Sequence, residues 1–208
     1  MPTLYERQTD ISIIIPVYNL EEYIGPMLDS LKSQELGGYT AEIIFVLNNC
    51  TDRSEDVIRE SGIECKILHC TMQGCGPARN VGLEEAEGYY IWFMDGDDWL
   101  LSKTSICDVL DKAFIEDLRI MRIPYKSSFR EYFSMVWQYL IRRDLIGEIR
   151  FPNYQPGEDD AFMDAVLNEA GYSRENYTII PCLGVPQYFY NYLREGSNMT
   201  RIRLGERI

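Results

Sequence analysis

The sequence predicts an α/β fold: a mostly parallel central sheet with helices on both faces and a small lobe toward the C-terminus. Two observations carry this. Short β-branched runs alternate with stretches of helical periodicity through the first half, the pattern of β-α-β units. Three of those runs end in polar loops, Val17-Tyr18-Asn19, Asn48 to Asp52 and Asp95 to Asp98. In a parallel sheet such loops share one edge, outside the C-terminal ends of the strands, where ligands bind.

Taken in order, Ile11-Ser12-Ile13-Ile14-Ile15 is a buried strand closed by Pro16. Tyr23 to Lys32 sets Ile24, Met27, Leu28 and Leu31 on one helical face. Glu42 to Leu47 is the second strand, and Thr51 or Asp52 can cap the helix over Ser54–Ser61. Cys65 to Leu68 is the third strand. Pro77 to Ala86 is a helix with proline in its first turn and Gly88 just past its end. Tyr89 to Met94 is the fourth strand and runs straight into the aspartates.

Beyond Leu100 the alternation weakens. Ile106 to Phe114 is helical, Ile120 to Ile123 a strand, and Ala161 to Ala170 a helix preceded by Glu158-Asp159-Asp160. Apolar residues at 129, 133, 136, 137, 140 and 141 have helical spacing, which predicts a helix over Phe129 to Ile146. Tyr177 to Ile180 and Tyr188 to Tyr192 are candidate strands. No internal repeat or low-complexity linker divides the chain, so residues 1–208 are expected to form one domain, with halves at about 10–100 and 101–208.

The 46% hydrophobic content of these 208 residues suffices for a sizeable core. A formal charge of −13 excludes nucleic acid as the expected partner, since phosphate backbones need a basic face. The same charge suits a site that attracts divalent cations. No apolar stretch approaches the roughly 20 residues that span a bilayer, and the N-terminus lacks the features of a signal peptide, so a cytoplasmic protein is expected. The six cysteines include no C-x-x-C pair and His69 is the only histidine, so neither zinc nor disulfides are expected.

The densest chemical signal is Phe93-Met94-Asp95-Gly96-Asp97-Asp98-Trp99. Carboxylates about 4 Å apart repel by about 4 kcal/mol at a partly buried site. A turn explains Asp and Gly, but not three carboxylates at the mouth of a parallel sheet. A hard cation such as Mn²⁺ or Mg²⁺, which takes one or two carboxylates plus substrate phosphates, would turn that repulsion into attraction.

Ile13 to Asn19, Val46 to Asp52, Gly76-Pro77-Ala78-Arg79-Asn80-Val81-Gly82 and Phe93 to Trp99 occur in the order found in glycosyltransferase family 2, which the chain resembles over about residues 10 to 200. Downstream, Glu158-Asp159-Asp160-Ala161-Phe162 resembles the family's E-D-x-x-F segment, and Phe189 to Ser197 its closing strand. The resemblance implies the GT-A fold, a nucleotide-diphospho-sugar-binding α/β sandwich. The first half would then hold the donor and the second the acceptor.

It further implies that Pro16, Tyr18 and Asn48 border the donor's nucleobase and ribose, with a UDP-sugar as the expected donor. Asn48 stands where many members have Asp; an amide still hydrogen-bonds a base edge or a hydroxyl. Arg79 reaches the donor's phosphates or steadies the adjoining acidic loop. Asp97 is the preferred metal ligand and Asp95 lies near the ribose or the metal's water shell. Asp98 serves either purpose or caps the next segment. Asp159 is the implied general base of an inverting transfer to a hydroxyl, as in polysaccharide or glycan assembly.

Leu118 to Arg150 runs against the overall charge, with seven basic residues against three acidic, interleaved with aromatics. An amphipathic helix with a solvated basic face accounts for this; so does contact with a lipid-linked acceptor or the inner membrane surface. Two alternatives stay open: a nucleotide-sugar-binding protein that has lost catalysis, and a sugar nucleotidyltransferase. The latter lacks its Gly-rich basic loop between Val17 and Glu22. Oligomeric state, a homodimer included, is not legible from these residues.

Overall fold

Strand β1 (Ile11–Val17) is buried at every position, because it lies inside a six-stranded sheet with helices on both faces. This computed structural model describes residues 9–127, 135–154, 156–173 and 175–191. β1 pairs in parallel with β2 (Ala41–Asn48) and β4 (Tyr90–Phe93), and β3 (Lys66–Cys70) pairs in parallel with β2. Past β4, β8 (Tyr139–Arg142) enters antiparallel and β6 (Ile120–Arg122) closes the sheet, giving the order β3-β2-β1-β4-β8-β6. A second sheet has the order β5-β9-β7, from Trp99–Leu100, Tyr188–Tyr190 and Tyr125–Ser127.

Successive side chains of a strand point to opposite faces, so β1 feeds two cores. Ile11, Ile13 and Ile15 pack with α1 (Gly25–Lys32), α2 (Ser54–Glu60) and α4 (Ser105–Ile115). Ile14 packs with α3 (Cys75–Glu85) and α6 (Glu158–Glu169). The seat of α3 is unusually close. A Cβ at Gly82 would press into Ile14 Cγ2 and lie 3.3 Å from Val46 Cγ2, so a glycine there lets the helix settle onto the sheet. That contact fixes how Arg79, one turn earlier, meets the end of β4.

The four strands of the first half and the helices between them follow the periodicity. The second half departs from it at two points. The expected helix over Phe129–Ile146 does not form in its described part: Val136–Gln138 is a 3₁₀ turn, Tyr139–Arg142 is β8, and only Arg143–Ile146 (α5) is helical. Leu140 and Trp137 face one core while Tyr139, Ile141 and Val136 face the other. A segment buried on both sides suits a strand inside a sheet, whereas an amphipathic helix buries one stripe. Phe129 and Phe133 lie outside the described residues.

The helix does not form, yet basic side chains of this stretch still face solvent, Arg119, Arg143 and Arg150 being exposed. Arg142 is half-buried and forms a two-bond pair with Asp144 (2.8 and 3.0 Å), and Arg143 and Arg150 donate to backbone carbonyls. Tyr177–Ile179 is likewise a 3₁₀ turn rather than a strand. Tyr188–Tyr190 is β9, and Tyr192 to Ser197 lie outside the described residues.

Gly82→Val should lower the unfolding free energy by about 1–3 kcal/mol, the usual cost of overpacking a core. A fall in the urea midpoint without a change in slope would register it; an unchanged midpoint would mean that α3 can lift off the sheet.

Candidate active site

Because β1, β2 and β4 are adjacent and parallel, the loops after Val17, Asn48 and Phe93 emerge side by side. The first two are tied together. Thr51 N–H donates to Asn19 Oδ1 (2.8 Å), Glu21 N–H to Asp52 Oδ2 (2.9 Å), and Leu20 N–H to Ser54 Oγ (2.7 Å). Asn19 and Asn49 take positive φ values of 49° and 54°, which Asn tolerates better than most residues. Neither Thr51 nor Asp52 takes the expected N-cap position of α2, which falls on Arg53 without a side-chain cap; Asp52 instead accepts Ser54 N–H from just ahead of the helix. Burial works against its charge, yet these hydrogen bonds hold its carboxyl below the ordinary range.

The residues expected to border the donor separate here. Tyr18 is 54% exposed at the rim, while Pro16 is buried in β1. Asn48 is buried and turned toward the loop before α3: Nδ2 donates to Met72 O (2.6 Å) and Cys70 O (3.4 Å), and Oδ1 accepts Gly74 N–H (3.0 Å). Both amide donors are spent on shaping that loop.

Arg79 gathers the acidic residues. Its guanidinium is almost fully buried, stands 5.4 Å over the Phe151 ring, and donates to Asp95 Oδ1 (2.8 Å) and Asp159 Oδ1 (2.6 Å). Of the two readings of Arg79, phosphate contact or support of the acidic loop, this geometry carries out the second and adds Asp159. Burial opposes the cation, but Asp159 and Asp95 raise its pKa above the usual arginine value. Asp159 sits in the first turn of α6, after Gly157 in a left-handed conformation. Burial pushes its carboxyl up to about 6 against the pull of Arg79, with Asp95 and Glu158 adding repulsion. The Val136 N–H also bonds to it.

The aspartates do not act alike. Asp98 N–H donates to Asp95 O (3.1 Å), closing a turn with Gly96 and Asp97 at its centre. Asp95 and Asp97 are partly exposed, whereas Asp98 is fully buried. Both Asp98 oxygens are engaged, Oδ2 by the Tyr188 hydroxyl (2.5 Å) and Oδ1 by Asn191 N–H (2.7 Å). Asp98 is therefore a structural anchor, not a ligand facing the rim. Burial, with the charges of Asp97 and Asp95, raises its pKa well above the carboxylate norm. The cluster's repulsion is relieved at Asp95 by its pair with Arg79. Tyr188 had no marker in one dimension beyond its strand pattern.

Among the described residues no three His, Cys, Asp or Glu side chains converge into a cage for an ion. Asp97 and the Asp95 oxygen not bound to Arg79 fit a smaller demand, that of a cation completed by substrate phosphates.

A family model described as "Glycosyl transferase family 2" matches residues 12–177, a span that contains every site residue named above from Pro16 to Asp159. The chain belongs to glycosyl transferase family 2. Its relatives include the minor teichoic acid biosynthesis protein GgaB of Bacillus subtilis, 36% identical over 220 residues (91% of this chain, 24% of that protein). A poly(ribitol-phosphate) beta-glucosyltransferase of Bacillus spizizenii is 30% identical over 223 residues, covering 91% of this chain and 33% of its own length. The chain spans 19% of glycosyltransferase GlyA from Streptococcus pneumoniae and 61% of EpsJ from Bacillus subtilis.

The GT-A architecture of the family is seen in solved structures. S. aureus TarS 1-349 in complex with UDP-GlcNAc superposes with a TM-score of 0.79 at 23% identity, over 92% of this chain and 61% of that one. Glucosyl-3-phosphoglycerate synthase from Mycobacterium tuberculosis, solved with Mn²⁺, UDP and its product, gives 0.69 at 18% identity, over 95% and 75%. Among the described residues of this family member, no helix is long and apolar enough to cross a membrane.

Removing one member of a buried ion pair costs about 3–5 kcal/mol, so Arg79→Met should destabilise the fold by that order at pH 7. Without the guanidinium the folded-state pKa of Asp159 climbs further above its unfolded value. Folding then takes up a proton between the two values, and the deficit should shrink as pH falls. Denaturation at pH 7 and pH 5 tests this; a deficit that grows on acidification would refute it.

Proposed function

We propose that this chain is an inverting, metal-dependent glycosyltransferase that moves a sugar from a nucleotide diphosphate to a hydroxyl in polysaccharide or glycan assembly. The observation that carries the reading is the convergence of Asp95 and Asp159 on Arg79 at the C-terminal rim of a GT-A sheet. A carboxyl with a pKa near 6 is poised as a general base at neutral pH. The names of relatives in teichoic acid synthesis, and a neighbour solved with UDP-GlcNAc, favour a UDP-sugar donor and a polymeric or lipid-linked acceptor.

In this reading Tyr18 lines the base and ribose from the open side, Pro16 backs it, and Asn48 acts through the loop it holds. Asp97 and Asp95 would hold the cation, with Asp98 supporting their turn from inside. When bound with the donor, Mn²⁺ or Mg²⁺ would supply positive charge against the departing nucleoside diphosphate. Asp159 takes the acceptor's proton as its oxygen bonds to the anomeric carbon. The bond to phosphate breaks on the opposite side, which inverts the configuration.

A panel of nucleotide sugars with Mn²⁺ or Mg²⁺, scored by thermal shift and by hydrolysis, should reveal one donor that stabilises the fold in proportion to its concentration over Kd. Binding without release or transfer under any acceptor would instead mark a protein that has lost catalysis. Asp159→Asn should lower kcat by about 10²–10⁴ with little change in donor affinity. For the wild type, protonation of the base means that kcat/KM should fall as pH drops through about 6. A profile flat from pH 5 to 8, or a product of retained configuration, would remove Asp159 from this role.

A further inference from the structure

The turn that carries Asp95 and Asp97 is tied at both ends to a segment some ninety residues later. Tyr188 opens β9, which pairs antiparallel with β5 immediately after the turn, with Leu100 opposite Tyr188 and Trp99 opposite Phe189. The Trp99 and Phe189 rings stack at 4.2 Å, and Tyr188 itself stacks on Trp137 at 5.0 Å. The Tyr188 side chain is fully buried, and its hydroxyl does two things at once. It accepts Asp95 N–H (3.0 Å) and donates to Asp98 Oδ2 (2.5 Å). One oxygen atom thereby spans the turn from its first residue to its last.

We propose that the Tyr188 hydroxyl is a positioning group for cation and donor binding: by bridging Asp95 and Asp98 it sets the aim of the Asp95 and Asp97 carboxylates. The inference rests on reading this rim as a nucleotide-sugar site. Three carboxylates crowd a four-residue turn, Arg79 pairs with Asp95 alone among them, and the strand before the turn ends at Phe93. Without a brace the turn would open to separate the charges. The brace comes from the C-terminal half, so the acceptor-side lobe helps to organise the donor site. Tyr188 touches neither the rim nor the reacting atoms; it acts through the backbone of Asp95 and the buried carboxyl of Asp98.

Tyr188→Phe removes that oxygen and keeps the ring stacking. Loss of one such hydrogen bond corresponds to about a tenfold change in an equilibrium. Amide hydrogen exchange over residues 95–98 should quicken by about that factor, while β1 and β2 keep their protection. Mn²⁺ binding in the presence of UDP, followed by the paramagnetic resonance of free Mn²⁺, should weaken similarly. In turnover the loss should fall on the Mn²⁺ and donor KM more than on kcat at saturation.

Asp98→Leu removes the acceptor and should lose at least as much as Tyr188→Phe, and the double variant should bind Mn²⁺ no more weakly than Asp98→Leu alone, because the same brace is already broken. Wild-type binding that survives Tyr188→Phe unchanged, with unaltered exchange at 95–98, overturns the positioning role. Additive losses in the double variant do so as well. Wild-type protein that binds no Mn²⁺ with any nucleoside diphosphate overturns the reading of the site itself.

Discussion

One buried guanidinium between two carboxylates organises this molecule. Arg79 comes from α3, Asp95 from the loop after β4 and Asp159 from the start of α6, 16 and 80 residues away from it in sequence. A lone charge in so buried a position would be costly, and its two partners offset that cost only while all three elements keep their places. The trio still carries one more negative charge than positive when both acids are ionised. It can therefore be stable and remain attractive to a cation at the rim. The same balance acts on the proposed base: burial lifts the Asp159 carboxyl to about 6 while Arg79 restrains it.

The sheet makes this geometry possible. Three parallel strands deliver three loops to one edge, and hydrogen bonds between the loops fix their relation before any ligand arrives. Asn19 and Asp52 hold the first two loops together, Asn48 shapes the approach to α3, and Gly82 lets α3 lie close enough for Arg79 to reach β4. These residues act on the site by setting distances. The acidic turn is finished from the other half of the chain through β9.

The aspartates in sequence succession divide their labour by environment. Asp95 is paired, Asp97 is partly exposed at the centre of the turn, and Asp98 is withdrawn into the protein with its pKa raised. Identical side chains within four positions thus differ in partners and in exposure. In the proposed reading, a phosphate-bearing substrate would meet this acidic chain through a cation that Asp95 and Asp97 help to hold.

The first half of the fold was legible in the sequence because its strands and helices are local patterns: continuous β-branched runs, a 3.6-residue stripe, proline at a helix start. The order of four motifs marked Arg79, Asp95 and Asp97, and the downstream Glu158 to Phe162 segment marked Asp159; together they were enough to point to the family. What stayed hidden depends on contacts between distant segments. Spacing at 136, 137, 140 and 141 satisfies a helix, yet the gap between β4 and β6 claims those residues for a strand buried on both faces. The inward turn of Asp98, the commitment of Asn48 to a loop and the bridging hydroxyl of Tyr188 have no one-dimensional signature, since side-chain direction is decided by partners up to 93 residues away. Sequence determined which chemical groups are present; tertiary structure decided which carboxylates are buried, which are paired and which face the rim, because those depend on partners far away in the chain.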